Sequence, residues 1–93
     1  MKFEWNRTKA TTNLHKHGVS FEEAATVFAD ALSHTFPDID HSDDETRFLL
    51  IGMSHGGRIL VVSHTDRGDT VRIISAREAT RKERNFYEEN SQG

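Results

Sequence analysis

Three extended runs follow one another in the second half of the chain: "TRFLLIGMSH", "GGRILVVSHT" and "DTVRIISAR". Gly56-Gly57 stands at the first junction and Arg67-Gly68-Asp69 at the second. A tight Gly-Gly turn between apolar runs is a strong hairpin signal. Strands joined by such short turns pair antiparallel, so this half of the chain predicts an antiparallel meander. Ahead of it, "SHTFPD" adds a short strand. Pro37 has no N–H for a ladder, which confines that strand to a sheet edge or ends it.

The first half reads differently. "KFEW" alternates as a strand does, with Phe3 and Trp5 on one face. Asn6 is placed to cap a helix running through Lys16, with Ala10, Leu14 and His17 on one stripe. Gly18 follows the basic turn "HKH", where a left-handed helix stop belongs. "SFEE", Ser20 to Glu23, is a capping box opening a second helix, along which Phe21, Ala24, Ala25, Phe28 and Leu32 recur at helical spacing. With a one-glycine hinge between them, the two helices should form a hairpin or an L. A second box, "TRKE", begins at Thr80 and opens a last helix. Its apolar content is thin: Ala79 and Phe86, with Glu83 between them on the same side. The expected fold class is α+β, a small antiparallel β-sheet meander with two N-terminal helices and one C-terminal helix, in a single domain over residues 1–93.

Hydrophobic residues make up 34 % of the chain and charged ones 29 %, which fits a soluble globular protein. The apolar runs 48–51 and 59–62 fall far short of the roughly 20 residues that cross a bilayer. The opening "MKFEWNRTKATTN" has no apolar stretch of the secretory kind. Cysteine is absent, which removes disulfides and thiolate chemistry. A cytoplasmic location is the default expectation.

Formal net charge is −3, but its layout is uneven. Lys2, Arg7, Lys9 and Lys16 face only Glu4 in the first 17 residues. "DIDHSDDE", residues 38–45, is acidic throughout. Residues 67–84 then carry Arg67, Arg72, Arg77, Arg81, Lys82 and Arg84 against Asp69, Glu78 and Glu83. Basic ends around an acidic middle point to a polyanion partner.

On a helix, Thr80, Arg84 and Tyr87 share a face, with Arg81 beside Arg84 and Arg77 just ahead. Guanidinium binds phosphate through two parallel hydrogen bonds and stays charged at any working pH. An aromatic ring offers a platform for an unpaired base. Arginine with tyrosine is therefore what single-stranded RNA binding or cleavage requires. The ordinary alternative is a solvated helix held by i, i+4 pairs, Glu78 with Lys82 and Arg84 with Glu88.

Three stretches, "FEWNRTKATTNLHKHGVSFEEA", "DHSDDETRFLLIGMS" and "RIISAREATRKERNFYEE", together resemble the BrnT family, the toxins of BrnT/BrnA type II toxin–antitoxin systems. "KHGVSFEEA" and "ISAREATRKERNFYE" are the most specific parts. The resemblance implies a fold similar to RelE-type ribonuclease toxins. It further implies RNA cleavage that stops translation, neutralised by a BrnA-like antitoxin that alone contacts DNA, in a complex with room for a toxin dimer.

Metal-free cleavage of RNA needs the ribose 2′-OH to attack the neighbouring phosphorus while positive charge stabilises the phosphorane. That charge is assigned to Arg77, Arg81 and Arg84. Glu83 is the carboxylate inside the arginine cluster, either a general base or the partner that holds a cation in place. His17 is the acid–base candidate by resemblance, or else a core histidine on the stripe with Leu14. Tyr87 stacks, donates a proton or packs. Lys16, Arg67, Arg72 and Lys82 are further RNA contacts. His55 and His64, near strand ends, are expected to face solvent. No metal or other cofactor is expected: "DIDHSDDE" lacks the glycine and the terminal ligand of a calcium loop, and Leu49 stands at its twelfth position. The rival function is a non-catalytic binding module acting with its antitoxin in a DNA-bound repressor.

Overall fold

The computed structural model describes residues 1–41 and 45–91. In chain order they form β1 (Lys2–Glu4), α1 (Arg7–His17), α2 (Phe21–Thr26), β2 (His34–Pro37), β3 (Arg47–Met53), β4 (Ile59–Arg67), β5 (Thr70–Glu78) and α3 (Arg81–Asn90). One sheet has the order β1-β5-β4-β3-β2. The meander expected from the glycine turns runs through β2 to β5, antiparallel at each step. β1 departs from it by joining β5 in parallel, Lys2 opposite Thr70 and Glu4 opposite Arg72. β2 lies on an edge, where a strand ending in Pro37 costs no ladder bond. At the β3–β4 turn, Gly57 takes φ 84° and its N–H donates to the Ser54 carbonyl. A side chain there would be strained.

Each helix start carries the cap its sequence announces, with one difference. Asn6 Oδ1 accepts from the Lys9 N–H at 3.0 Å, and Gly18, at φ 67°, closes α1. The Thr80 box is complete: its hydroxyl accepts from the Glu83 N–H, and Glu83 accepts from the Thr80 N–H at 2.8 Å. The Ser20 box is only half made. Ser20 accepts from the Glu23 N–H, but the Glu23 carboxylate turns away to Arg58 and Ser54. Arg58 foremost, helped by Ser54 against the effect of burial, holds that carboxyl below its ordinary range. A charged partner reached across the chain outcompetes a neutral N–H.

Two cores sandwich the sheet. Val19, Phe21, Ala24 and Val27 pack on Leu50, Leu60, Val62, Ile73 and Ala76. Trp5 meets Phe21 edge to face, and Phe3 meets Phe28, so the two aromatics of "KFEW" do share one side. Fully burying a side chain such as Phe21 or Leu60 contributes about 1.5–3 kcal/mol. On the other face Ala79, just ahead of α3, and Phe86 and Tyr87 of α3 pack with Ile51, Val61, Leu49 and Ile59. α2 gives way at Val27–Ala29 to a tighter helical turn, so Leu32 leaves the predicted helical stripe and is exposed. The stripe of α1 also differs from expectation. Leu14 is 51 % exposed, while Asn13, one residue earlier, is buried.

That exchange reflects where α1 sits. β1 pairs only with residues 70–72 of β5, which leaves the rest of that edge open. Asn13 fills the gap as a strand would: its Nδ2 donates to the Ala76 carbonyl at 2.8 Å, and its Oδ1 accepts from the Ala76 N–H at 3.1 Å. A third bond runs from Nδ2 to the Val19 carbonyl. Among the described residues no helix is long and apolar enough to cross a membrane.

Candidate functional site

Side chains alternate along each strand, so the face under α3 continues past the helix. There the register sets Arg47 of β3, Thr65 of β4 and Arg72 of β5 side by side, with Glu4 of β1 beyond. Between Ser63 and His64 the β4–β5 register slips, leaving Ile74 without a partner on β4. Ile74, the extra residue of this bulge, lines the space between β5 and α1. A cleft of about 250 Å³ runs between α1 and β5, lined by Lys9, Asn13, Lys16, His17, Ile74 and Ser75 among others. A second, of about 210 Å³, includes Lys9, Arg47, Thr65, Arg72 and Ile74. Lys9 and Ile74 border both, so the two clefts are adjoining lobes of one groove.

Lys16 and His17 meet in the first lobe, Lys16 exposed and His17 half-buried. Arg72 enters the second lobe and donates to Glu4 at 2.8 Å. Arg77 is on the same face, opposite Val61. Its two terminal nitrogens donate to the two oxygens of Glu83, at 2.7 and 3.0 Å. That pairing first, then the Thr80 N–H, holds the Glu83 carboxyl down to about 2 in spite of its partial burial. A carboxylate so stabilised is a poor proton acceptor. Of the two expected arrangements of Glu83, the structure shows the carboxylate that holds a cation, here Arg77.

The other members of the expected cluster separate. Tyr87 is 5 % exposed, and its O–H donates to Asp30 at 2.6 Å. Burial first, and the Asp30 carboxylate second, push the phenol up to about 12. Asp30 also accepts from the Met53 and Leu32 N–H groups. These bonds outweigh its own burial and hold it below the ordinary carboxylate range. Tyr87 thus presents no ring to a base, because packing rotates α3 to put it against the sheet. Arg81, Lys82 and Arg84 stay exposed, with no ion pair among the described residues. The expected pairs of Lys82 and Arg84 do not form; Glu78 lies 3.9 Å from Arg58 instead. Arg67 is outside the groove, held by Glu45 at 2.9 and 2.7 Å. Asp43 and Asp44 of the acidic stretch lie outside the described residues.

His64 corrects an expectation too. It is buried rather than solvent-facing, stacked on Phe48 and edge-on to Phe28, with Nδ1 2.9 Å from Asp66. Burial lowers its pKa from 6.5 despite Asp66. The unfolded chain binds this proton more readily than the fold, so stability falls as pH drops below about 6.5. NMR titration of the His64 ring should give a midpoint under 6.5, and a midpoint at or above that value removes the argument.

Lys9, Arg47 and Thr65 went unforeseen. They stand far apart in the chain, and only the strand register and the side of α1 bring them together. The one sequence signal of Arg47 and Thr65 was a polar residue in an otherwise apolar strand, and that of Lys9 was its place in the basic first 17 residues. Among the described residues no three His, Asp or Glu side chains gather as a metal site.

The fold and groove define a small α+β protein with a cationic trough suited to a polyanion. The chain belongs to the family described as the ribonuclease toxin, BrnT, of type II toxin–antitoxin systems, whose model matches residues 5–83. Among solved structures it is similar to the Brucella abortus ribonuclease toxin BrnT, determined at 1.1 Å. The TM-score is 0.68 at 27 % identity, covering 87 % of this chain and 99 % of that one. No curated protein matches the sequence.

Proposed function

We propose that the chain is an endoribonuclease that cleaves RNA by 2′-OH attack on the adjacent phosphodiester, without a metal ion, and so stops translation in the cytoplasm. The observation that carries this reading is the groove in which Lys9, Lys16, His17 and Arg72 converge beside the open sheet. Cationic donors, rather than carboxylates, suit a site that must neutralise a phosphorane. Histidine is the side-chain type that exchanges protons near neutral pH, so His17 takes the 2′-OH proton or returns one to the leaving oxygen. Lys16 meets the phosphate that is cut, and Arg72 contacts the RNA further along the groove. Arg77, aimed by Glu83, and the exposed Arg81, Lys82 and Arg84 extend the cationic surface along the RNA. A BrnA-like antitoxin covers this surface, makes the DNA contacts of the complex and can bring two toxins together.

The test is cleavage of a single-stranded RNA oligonucleotide in excess chelator. Wild type should cut, and His17→Ala should lose about 100-fold or more in kcat with its circular dichroism intact. Cleavage that stops in chelator defeats the metal-free step, and a His17→Ala variant within a few-fold of wild type removes His17 from the chemistry. RNA bound but never cut would make the chain a binding module. Simultaneous, independent binding of RNA and antitoxin would defeat the shared surface.

A further inference from the structure

We infer that Thr65, Arg47, Arg72 and Lys9 form a second phosphodiester subsite, which holds the RNA phosphate next to the one that is cut. The inference rests on the nuclease reading for its substrate and on a separate observation for its place. Thr65 is 2 % exposed, and its hydroxyl has no hydrogen-bond partner among the described residues. A polar group buried without a partner is rare in folded proteins and calls for a reason. Valine would fill the same β-branched position of the strand without that cost.

The surroundings supply the reason. Thr65 lies in the second lobe of the groove, with Arg47 and Arg72 opposite it on the two neighbouring strands and Lys9 on the bordering helix. Cross-strand neighbours stand close enough to act on one small ligand. Among the described residues two nearby carboxylates are engaged, Glu4 by Arg72 and Glu45 by Arg67. A phosphate oxygen seated here accepts from the Thr65 hydroxyl, while guanidinium and ammonium meet its charge. The hydroxyl is buried and Arg47 and Arg72 on the neighbouring strands are half-buried, so ligand entry requires these long side chains to move. Because Lys9 borders both lobes, a phosphate here and another by Lys16 and His17 belong to one continuous strand.

Two probes separate a diester subsite from a site for free phosphate: inorganic phosphate, and a dinucleotide lacking the attacking 2′-OH. Followed by NMR on the full chain, both should shift Thr65 and Arg72, the dinucleotide at lower concentration. Thr65→Val should weaken dinucleotide binding about fivefold or more with no fall in Tm, and Thr65→Ser should stay within about twofold of wild type. On RNA, Thr65→Val should raise KM and leave kcat within about twofold, as loss of uniform binding does. Unmoved Thr65 and Arg72 resonances in the wild type overturn the subsite, as does a Thr65→Val variant that binds like wild type. If RNA is cut while those tests fail, the subsite is wrong and the nuclease reading stands. If the dinucleotide binds as expected and wild type never cuts RNA, the reverse holds.

Discussion

Asn13→Leu is expected to lower stability by about 3–5 kcal/mol, more than any other single change considered for this chain. Leucine keeps the number and branching of the side-chain heavy atoms, so the loss is chiefly one of hydrogen bonding. Three backbone groups lose their partner: the Ala76 N–H, the Ala76 carbonyl and the Val19 carbonyl. All are bonded by a buried side chain, and each buried group left without a partner costs about 1–3 kcal/mol. A domain of this size has about 5–15 kcal/mol in total. At about 4–8 °C per kcal/mol, Tm should fall by about 12–40 °C. The open edge of β5 would also become a template for another chain, so aggregation should accompany unfolding. Thermal unfolding at two protein concentrations checks both effects. A Tm within about 5 °C of wild type would mean that water reaches Ala76 and that the edge does not need the amide.

Asn13 also shows where sequence reasoning stops. Local signals were read well: Asn6 and Thr80 as caps, Gly18 as a helix stop, Pro37 on an edge strand, the two glycine turns. Each depends on residues within a few positions of one another. The amphipathic stripe assigned to α1 picked Leu14 because apolar periodicity assumes that a helix meets a core. α1 instead straddles a sheet edge that asks for hydrogen bonds, which no hydropathy pattern records. The parallel docking of β1 on β5 joins residues 68 positions apart, beyond any local cue. The site followed the same rule. Arg77 to Arg84 looked like a cluster because they are neighbours in the chain, yet α3 buries Tyr87, ties Arg77 to Glu83 and turns Arg81 and Arg84 outward. The groove gathers its side chains from α1, β3, β4 and β5, and the bulge at Ile74 that shapes it appears only once the strands are paired.

Glu83→Gln separates the two roles of one carboxylate. Glutamine at the third helical position still completes a capping box with Thr80, so the helix start should survive. The bidentate charge pair with Arg77 should not. The folded carboxyl sits at about 2 against an ordinary 4.5. A carboxyl whose pKa is lowered by folding stabilises the protein above its unfolded value, and that contribution fades as pH falls toward the folded one. Arg77 is 40 % exposed, and water screens the pair. After that discount the expected loss at pH 7 is about 1–3 kcal/mol. Urea unfolding should show this gap between wild type and variant at pH 7 and 6, then show it narrowing below about 4.5, where Glu83 of the unfolded chain takes up a proton that the folded one still refuses. In the nuclease reading the variant also leaves Arg77 charged but unaimed, so kcat/KM should drop by about tenfold with only a small change in the pH profile that His17 sets. Arg77→Ala should lose as much, and the double variant no more than either alone, because one guanidinium held by one carboxylate acts as a unit. A stability gap that stays constant from pH 7 to pH 3 would show that the carboxylate contributes through its hydrogen bonds to the cap alone. Unchanged cleavage in both variants would move the phosphate contacts away from α3 and into the groove along α1.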